Sequence, residues 1–477
     1  MKILILGAGK VGLGIAGYLY NQNTEVTIIE KSPEVAEKIK SVSDLNVIVG
    51  DATNAAVLRE AIAENASHVI ATMSHDEQNI VACKLAGSLF NVKTKIARIR
   101  SEAFLQGNVF ELFLKENFDI DTIIQPELEI SNTACDIAQI IGALDVINME
   151  NIVIVQLKCL SDTEVLNTPF KHFRSITDLD LFVLTITRNN KTFFPGREDI
   201  LLPNDEIYVA TTKQHLNESL EFFGYSQTKK QNIMIIGGTN IGISIMKMML
   251  EKNHNCDITI LEESLKKAEE IAENFPDITT TCGNPLDFNF LKEITSGIDT
   301  AIVATNKEKS NILSSLFLKQ IGVKRILTLS KSHDYNSLLP LNSGCSLINP
   351  SAITIETIIH KSRKGKITSI HSLKNQDTDI VEVHVTEACT HIGNSIKSLK
   401  EKGKIIPVFL IRSGITMLAQ NDLVLCPEDV VILLIAKNSI KTVEKIFSNY
   451  LFSKDDISKN IDSENDDLDK LIEEEIE

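Results

Sequence analysis

The first fourteen residues, MKILILGAGKVGLG, leave this chain little freedom in what it can become. An apolar strand, Ile3 to Leu6, runs straight into Gly7-x-Gly9-x-x-Gly12, and an apolar helix follows through Leu19. That order of strand, tight turn and helix is the start of a dinucleotide-binding βαβ unit. Gly7 permits the turn, Gly9 lets bare backbone approach a pyrophosphate, and Gly12 lets the helix close onto the strand. The helix N-terminus adds N–H donors and partial positive charge. Gly7, Ala8, Gly9, Lys10, Val11 and Gly12 are therefore the first candidate cofactor contacts.

The residues downstream supply the rest of such a site. Glu25 to Glu30 reads as the second strand, ending in an acid 18 residues past Gly12. Two roles fit Glu30: accepting hydrogen bonds from adenosine ribose hydroxyls, which favours NAD(H) over NADP(H), or capping the next helix. Asn46-Val-Ile-Val-Gly50-Asp51-Ala52-Thr53 is a third short strand, and Asp51 at its carboxyl end fits a ligand contact or a helix cap. His68 to Ser74 is the fourth strand and its turn, which brings Thr72, Met73 and Ser74 to the far side of the switch point, ahead of a helix from about Asp76 to Leu89. Lys95 to Arg100 is a fifth strand, where Arg98 pairs with phosphate or with a neighbouring acid. Phe118 to Glu127 is a sixth, broken at Gln125 by Pro126. The fold class this implies is α/β with a parallel, Rossmann-like sheet.

From residue 151 the periodicity shortens to β stretches (Val153 to Lys158, Leu181 to Thr187, Glu206 to Thr211), with Asn189-Asn190 as a hairpin turn. Then the chain starts again. Gly237-Gly238-Thr239-Asn240-Ile241-Gly242 repeats the opening, Glu262 follows a second strand, and Cys282-Gly283-Asn284 falls where Gly50-Asp51 fell. Arg188, Pro203 and Asp205 reappear as Arg412, Pro427 and Asp429, each displaced by 224 residues. The organisation expected is a duplicated pair. Residues 1–127 form a nucleotide fold, 128–150 a linker helix and 151–226 a small α+β module. Residues 231–350, 351–366 and 367–452 repeat those three parts, and 453–477 are an acidic disordered tail. The tail holds 11 acids and three lysines, a net −8 that is half of the chain's formal −16.

The two nucleotide sites are not equal on paper. Thr239 stands where Gly9 stood, and its side chain tends to hold a pyrophosphate off the backbone. Asn284 replaces Asp51, and Glu262 sits two residues later relative to its turn. Gly237, Gly238, Gly242 and Glu262 are the second site's candidate contacts. The expectation is that the first site binds NAD(H) well, while the second binds weakly or takes another adenine nucleotide, ATP or ADP.

Composition narrows the class. The acidic balance argues against a nucleic-acid binder, which needs clustered Lys and Arg. Eight scattered cysteines without a Cys-x-x-Cys pair point to a reduced compartment and no metal framework. A first strand beginning at residue 2 leaves no room for a signal peptide, and no apolar run approaches the ~20 residues that cross a bilayer. A soluble cytoplasmic protein is expected. The ten histidines occur singly, with no His-Glu-x-x-His and no Gly-x-Ser-x-Gly; His68, His75, His172 and His391 read as surface or packing residues. A dehydrogenase would also need a substrate domain presenting an acid–base group to the nicotinamide. Only a small β module follows each fold. An NAD-dependent oxidoreductase with an unusual substrate domain is thus the alternative to a non-enzymatic nucleotide sensor.

Gly7-Ala-Gly-Lys-Val-Gly12, Glu30, Gly50-Asp-Ala-Thr53, Ala71-Thr72, Ala97-Arg98-Ile-Arg100 and Pro126-Glu127 resemble the regulator-of-potassium-conductance (RCK) nucleotide domain. The recurring module, with Pro-Asn-Asp205 and Pro-Glu-Asp429, resembles that family's small C-terminal domain. The resemblance covers about residues 1–450. It implies a peripheral cytoplasmic ring, a homotetramer, docked beneath a Trk-type potassium-translocating membrane subunit. In such a ring NAD(H) and ATP or ADP occupy the nucleotide folds and gate potassium flux. By the same resemblance the NAD contacts are Gly7 to Gly12, Glu30, Asp51, Thr72 to Ser74 and Arg98. Glu127 matches a position where some relatives place a metal-coordinating acid, although helix capping also fits it.

Overall fold

The structure is a computed structural model. It describes residues 2–447 apart from 21–23, 63–65, 102–103, 105–116, 162, 164, 190, 227–229, 253–255, 332–343, 363–366, 374–377, 402–403, 420–421 and 437–438. The acidic tail and Asn190 lie outside the described residues.

The first unit runs β1 (Lys2–Leu6), α1 (Lys10–Tyr20), β2 (Glu25–Glu30), α2 (Pro33–Val42), β3 (Asn46–Val49), α3 (Ala55–Ile62), β4 (His68–Ala71), α4 (Asp76–Phe90), β5 (Thr94–Arg98) and β6 (Thr122–Ile124). Its sheet has the order β3-β2-β1-β4-β5-β6, all parallel, with the reversal between β1 and β4. Strands covered on both faces carry continuous apolar runs, and β1 and β4 are buried at every residue.

The crossover helix α5 (Pro126–Gln139) follows. It starts two residues before the expected Leu128, because the fixed φ of Pro126 suits a first helical turn. It ends five residues before the expected Leu144, because Ile140 is extended and Gly142 is left-handed at φ 89°. The remainder of the expected linker is instead a strand, β7 (Asp145–Asn148), the edge of an antiparallel sheet with β8 (Ile152–Lys158). After α6 (Phe173–Ile176), β9 (Leu181–Arg188) and β10 (Lys191–Phe193) form a hairpin, with Asn189 left-handed at φ 53°. β11 (Glu206–Thr212) and α7 (Leu216–Phe222) complete the module, whose sheet order is β10-β9-β11-β8-β7.

The second unit repeats this. It comprises β12 (Gln231–Ile236), α8 (Asn240–Glu251), β13 (Cys256–Glu262), α9 (Leu265–Asn274), β14 (Thr279–Cys282), α10 (Phe288–Ile294), β15 (Thr300–Val303), α11 (Glu308–Ile321), β16 (Arg325–Leu329) and β17 (Cys345–Ile348). Its parallel sheet has the matching order β14-β13-β12-β15-β16-β17. The crossover helix α12 (Pro350–Ser362) leads to β18 (Ile367–Ser372), β19 (Thr378–His384), β20 (Ile405–Arg412), β21 (Ile415–Leu418), β22 (Val430–Ala436) and α13 (Ile440–Phe447). Their sheet, β18-β19-β22-β20-β21, is the first module's sheet over again. The residues displaced by 224 make the same ion pair in both modules. Arg188 donates to both carboxylate oxygens of Asp205 (2.8 and 2.6 Å), and Arg412 does so to Asp429 (2.7 and 2.8 Å). Both aspartates are buried, and this two-pronged pairing raises the pKa of each arginine.

The two units interlock. α5 packs against α8 of the second fold, with Ile130, Ala134 and Ile137 in one core with Ile245, Met246 and Met249. α12 packs in return against α1 of the first fold, where Ile358 is fully buried and a side chain on Gly14 would meet Ile355 at 2.3 Å. Buried Arg325, on β16, donates to the carbonyls of Ile137, Ala138 and Ala143, placing a cation at the carbonyl end of α5. The small modules join face to face through Ile152, Ile154 and Tyr208 on one sheet and Phe409, Ile432 and Leu434 on the other.

Candidate functional site

The first glycine turn sits at the carboxyl end of β1, at the sheet's switch point. Gly7 is left-handed at φ 96°, and a Cβ on Gly12 would lie 2.0 Å from the Gly7 carbonyl. Both positions therefore demand glycine for backbone reasons alone. Gly9 is different: a Cβ there would meet nothing within 4 Å. Its bareness serves no contact within the chain, and it faces open space at the start of α1.

Around this turn lies a cleft of about 920 Å³. It is lined by Gly7, Ala8, Gly9, Lys10, Val11, Glu30, Asp51, Thr72, Met73, Ser74 and Arg98, every candidate of the first site except Gly12, which is buried behind them. Glu30 accepts from the N–H groups of Ala8 and Ser32, both at 2.8 Å. One carboxylate thus ties the glycine turn to the start of α2 and keeps lone pairs free toward the cleft. Asp51 accepts from the amide and hydroxyl of Thr53 (2.9 and 2.6 Å) and pairs with Lys31 at 3.0 Å. The Thr53 bonds, aided by Lys31, lower its pKa to about 2. Thr72 donates to the Leu6 carbonyl, pinning β4 to β1. Asn79 clasps both backbone groups of Met73 and the Arg98 carbonyl, so the strand-end loop is pre-set. Arg98 is buried and donates to the Met73 carbonyl at 3.1 Å; burial and nearby Arg100 lower its pKa to about 10, so it stays charged at neutral pH. Glu127, in the first turn of α5, keeps one buried oxygen without a hydrogen-bond partner, and desolvation raises its pKa.

The second glycine turn shares the frame. Gly237 is left-handed at φ 111°, and a Cβ on Gly242 would lie 2.1 Å from the Gly237 carbonyl. Glu262 accepts from Gly238 (2.7 Å) and Ser264 (3.0 Å), as Glu30 does from Ala8 and Ser32. The two-residue offset seen in the sequence is absorbed before β13, so it does not displace this carboxylate. Several of the ligand-facing groups are replaced. Thr239 turns its hydroxyl inward, donating to Ala304 (2.8 Å) and accepting from the Gly242 amide (3.2 Å). The helix therefore caps itself where α1, behind a bare Gly9, has no side chain to do so. Matching strand-end bonds (Thr72 to Leu6, Ala304 to Ile236; Asn79 to Arg98, Asn311 to Leu329) put Leu329 at the Arg98 position. Pro350-Ser351, opening α12, stands where Pro126-Glu127 opens α5, so Ser351 takes the place of Glu127. The sequence missed the Leu329 substitution, because only the hydrogen-bond register fixes that equivalence.

Among the described residues, no three His, Cys, Asp or Glu side chains converge as a metal site, and no helix is long and apolar enough to cross a membrane.

Known proteins match this architecture. The TrkA-N domain family matches residues 3–126 and again 233–349, and the TrkA-C domain family matches residues 154–224. The Trk system potassium uptake protein TrkA of Azorhizobium caulinodans is 30% identical over 452 residues, covering 94% of this chain and 98% of that protein. Its namesake from Haemophilus influenzae is 27% identical over 460 residues, 95% of this chain and 100% of its own length. Among solved structures, the GsuK RCK domain superposes with a TM-score of 0.56 at 17% identity over 94% of each chain. The GsuK channel bound to NAD gives 0.57 at 16% identity, over 94% of this chain and 78% of that one. At such identities the likeness speaks for the fold.

Proposed function

The chain belongs to the TrkA family of potassium uptake proteins, and on that premise we propose that it is a regulatory subunit whose first fold holds NAD(H) and so controls a Trk-type potassium-translocating membrane subunit. It is not an enzyme: its relatives are potassium uptake proteins and RCK domains, and the oxidoreductase alternative falls with that. The observation that carries the nucleotide reading is the bare Gly9 at an uncapped helix start, set in a cleft with Glu30, Asp51, Thr72 to Ser74 and Arg98 around it. Glu30 and Asp51 suit the adenosine end, the turn from Gly7 to Gly12 the pyrophosphate, and Thr72 to Ser74 with Arg98 the half beyond.

In this reading residues 1–127 and 231–350 are the two nucleotide folds, and the small modules hold them in register. The second fold binds NAD(H) weakly or takes another adenine nucleotide, ATP or ADP, because Thr239, Leu329 and Asn284 stand where the first fold has Gly9, Arg98 and Asp51. The protein works as a homotetrameric ring on the cytoplasmic face of the membrane, and occupancy by NAD(H), ATP or ADP shifts the ring to gate potassium flux. The test is a reconstitution. Potassium flux through the membrane subunit is followed with the full chain, wild type or Gly9→Thr, under NADH and under ADP. Flux should respond to nucleotide with the wild type and not with the variant. A wild-type flux indifferent to both nucleotides would sink the proposal.

A further inference from the structure

The cleft on the first fold has a second wall, and that wall belongs to the other fold. Ala304, Thr305, Asn306, Glu308 and Lys331 line it together with the first glycine turn. They come from the carboxyl ends of β15 and β16, the counterparts of β4 and β5. The ends of β13 and β14, where the second fold's Glu262 and Asn284 lie, do not line it. In a site of this kind the adenosine half lies over β2 and β3, and the other half lies over β4 and β5. The second fold meets the first on that β4–β5 side, where Ser131 of α5 donates to the Ile241 carbonyl at the start of α8 (3.3 Å), so what it presents is aimed at the distal half of a ligand seated on the first.

This wall is rigid where it needs to be. Asn311 clasps Thr305 through its amide and hydroxyl (3.0 and 2.6 Å) and reaches the Leu329 carbonyl at 3.0 Å. Glu308 spends one oxygen on the Ser330 hydroxyl (2.7 Å) and the Lys331 amide (2.6 Å). The backbone of Lys331 is thus fixed, while no described residue pairs with its ammonium, and the neighbouring Asn306 amide is exposed and equally uncommitted. An ammonium and a carboxamide together can serve the hydroxyls of a second ribose and the nicotinamide carboxamide, the groups that NAD(H) has and ADP lacks. The fold that has lost its own nucleotide charges keeps these two groups on its neighbour's cleft.

We propose that the second fold reads the distal half of a dinucleotide seated on the first, through Lys331 and Asn306, so that NAD(H) is gripped by both folds and ADP by one. The proposal rests on the nucleotide reading of the first site and adds the rule by which that site distinguishes its ligands. Both side chains are exposed, so their replacement leaves the core alone.

The test is calorimetric titration of the full chain with NADH and with ADP, for wild type and for Lys331→Gln combined with Asn306→Ala. The double variant should bind NADH about tenfold more weakly and ADP within twofold of wild type. Equal weakening of both ligands would assign Lys331 a general electrostatic role and overturn the proposal, as would unchanged NADH affinity. Gly9→Thr, run alongside, should weaken both ligands by about thirtyfold. Wild-type protein that binds neither would instead refute the nucleotide reading on which the proposal stands.

Discussion

The two glycine turns are one device copied and then released from half its duties. Both keep the left-handed first glycine, the third glycine against the strand, and the acid that ties the turn to the next helix. They part at the middle glycine, at Arg98 against Leu329, and at Asp51 against Asn284. The retained set is what the backbone requires, since a Cβ or a missing carboxylate there would open the turn. The lost set lines the cleft, and its bonds within the fold are local ones, Arg98 to the Met73 carbonyl and Asp51 to Thr53 and Lys31. The second copy thereby separates two roles that the first copy superimposes. Glu30, which the sequence offered as a ribose ligand, belongs at least equally to the structural set, because Glu262 makes the same two bonds beside a turn that has capped itself.

Substitutions that exchange residues between the two folds separate these roles. The small modules are the control, since their ion pair is duplicated without loss. Arg188→Ala and Arg412→Ala should each cost about 3 kcal/mol in urea denaturation, leaving Asp205 or Asp429 buried and unpaired. A large inequality between them would mean that the modules have diverged as the nucleotide folds have. Next in size, Gly9→Thr writes the second turn into the first. The site has room for the side chain, so folding should hold while NADH affinity falls about thirtyfold, about 2 kcal/mol. The reverse change, Thr239→Gly, should not create a second site in a stoichiometry titration, because Leu329 and Asn284 remain. Arg98→Leu copies a substitution the second fold already tolerates with Leu329 only 5% exposed. It should weaken NADH about tenfold with little loss of thermal stability. The smallest effect concerns Asp51. Its pKa in the folded chain is about 2, below its ordinary 3.8, so its contribution to stability is present above about pH 4 and is lost as pH falls through 2. Asp51→Asn, the state of the second fold, should lack that acid-side component in a pH series of melting temperatures. With more than a third of the side chain exposed, the difference is small.

Much of this was legible in the chain. Continuous apolar runs at β1, β4, β12 and β15 announce strands buried on both faces, and glycine spacing marks the turns between strand and helix. The displacement of Arg188 and Asp205 by 224 residues exposed the duplication before any contact was known. What local pattern could not reveal depends on neighbours distant in sequence. β7 reads as the tail of a helix until its pairing with β8 is seen, because Asp145–Asn148 is too short for periodicity to decide. The offset of Glu262 looked like damage, and only the strand register shows it absorbed. The second wall of the cleft was invisible for the same reason: Lys331 lies far along the chain from Gly9, and nothing local to either residue brings them to one cavity.

The exchange of crossover helices has a consequence in time as well as in space. A nascent chain delivers α1 long before α12, the helix that covers it. At ribosomal rates of roughly 5–20 residues per second, the wait is on the order of 20–70 s. During that interval the α1 face around Gly14 is uncovered, and α5 waits a shorter time for α8 and for Arg325 to seal its carbonyl end. The fold that heads the chain is finished by a helix encoded near its far end. A message cut short before Pro350 therefore yields a complete glycine turn on an unclosed fold, a species for chaperones and proteases and not a half-sized sensor.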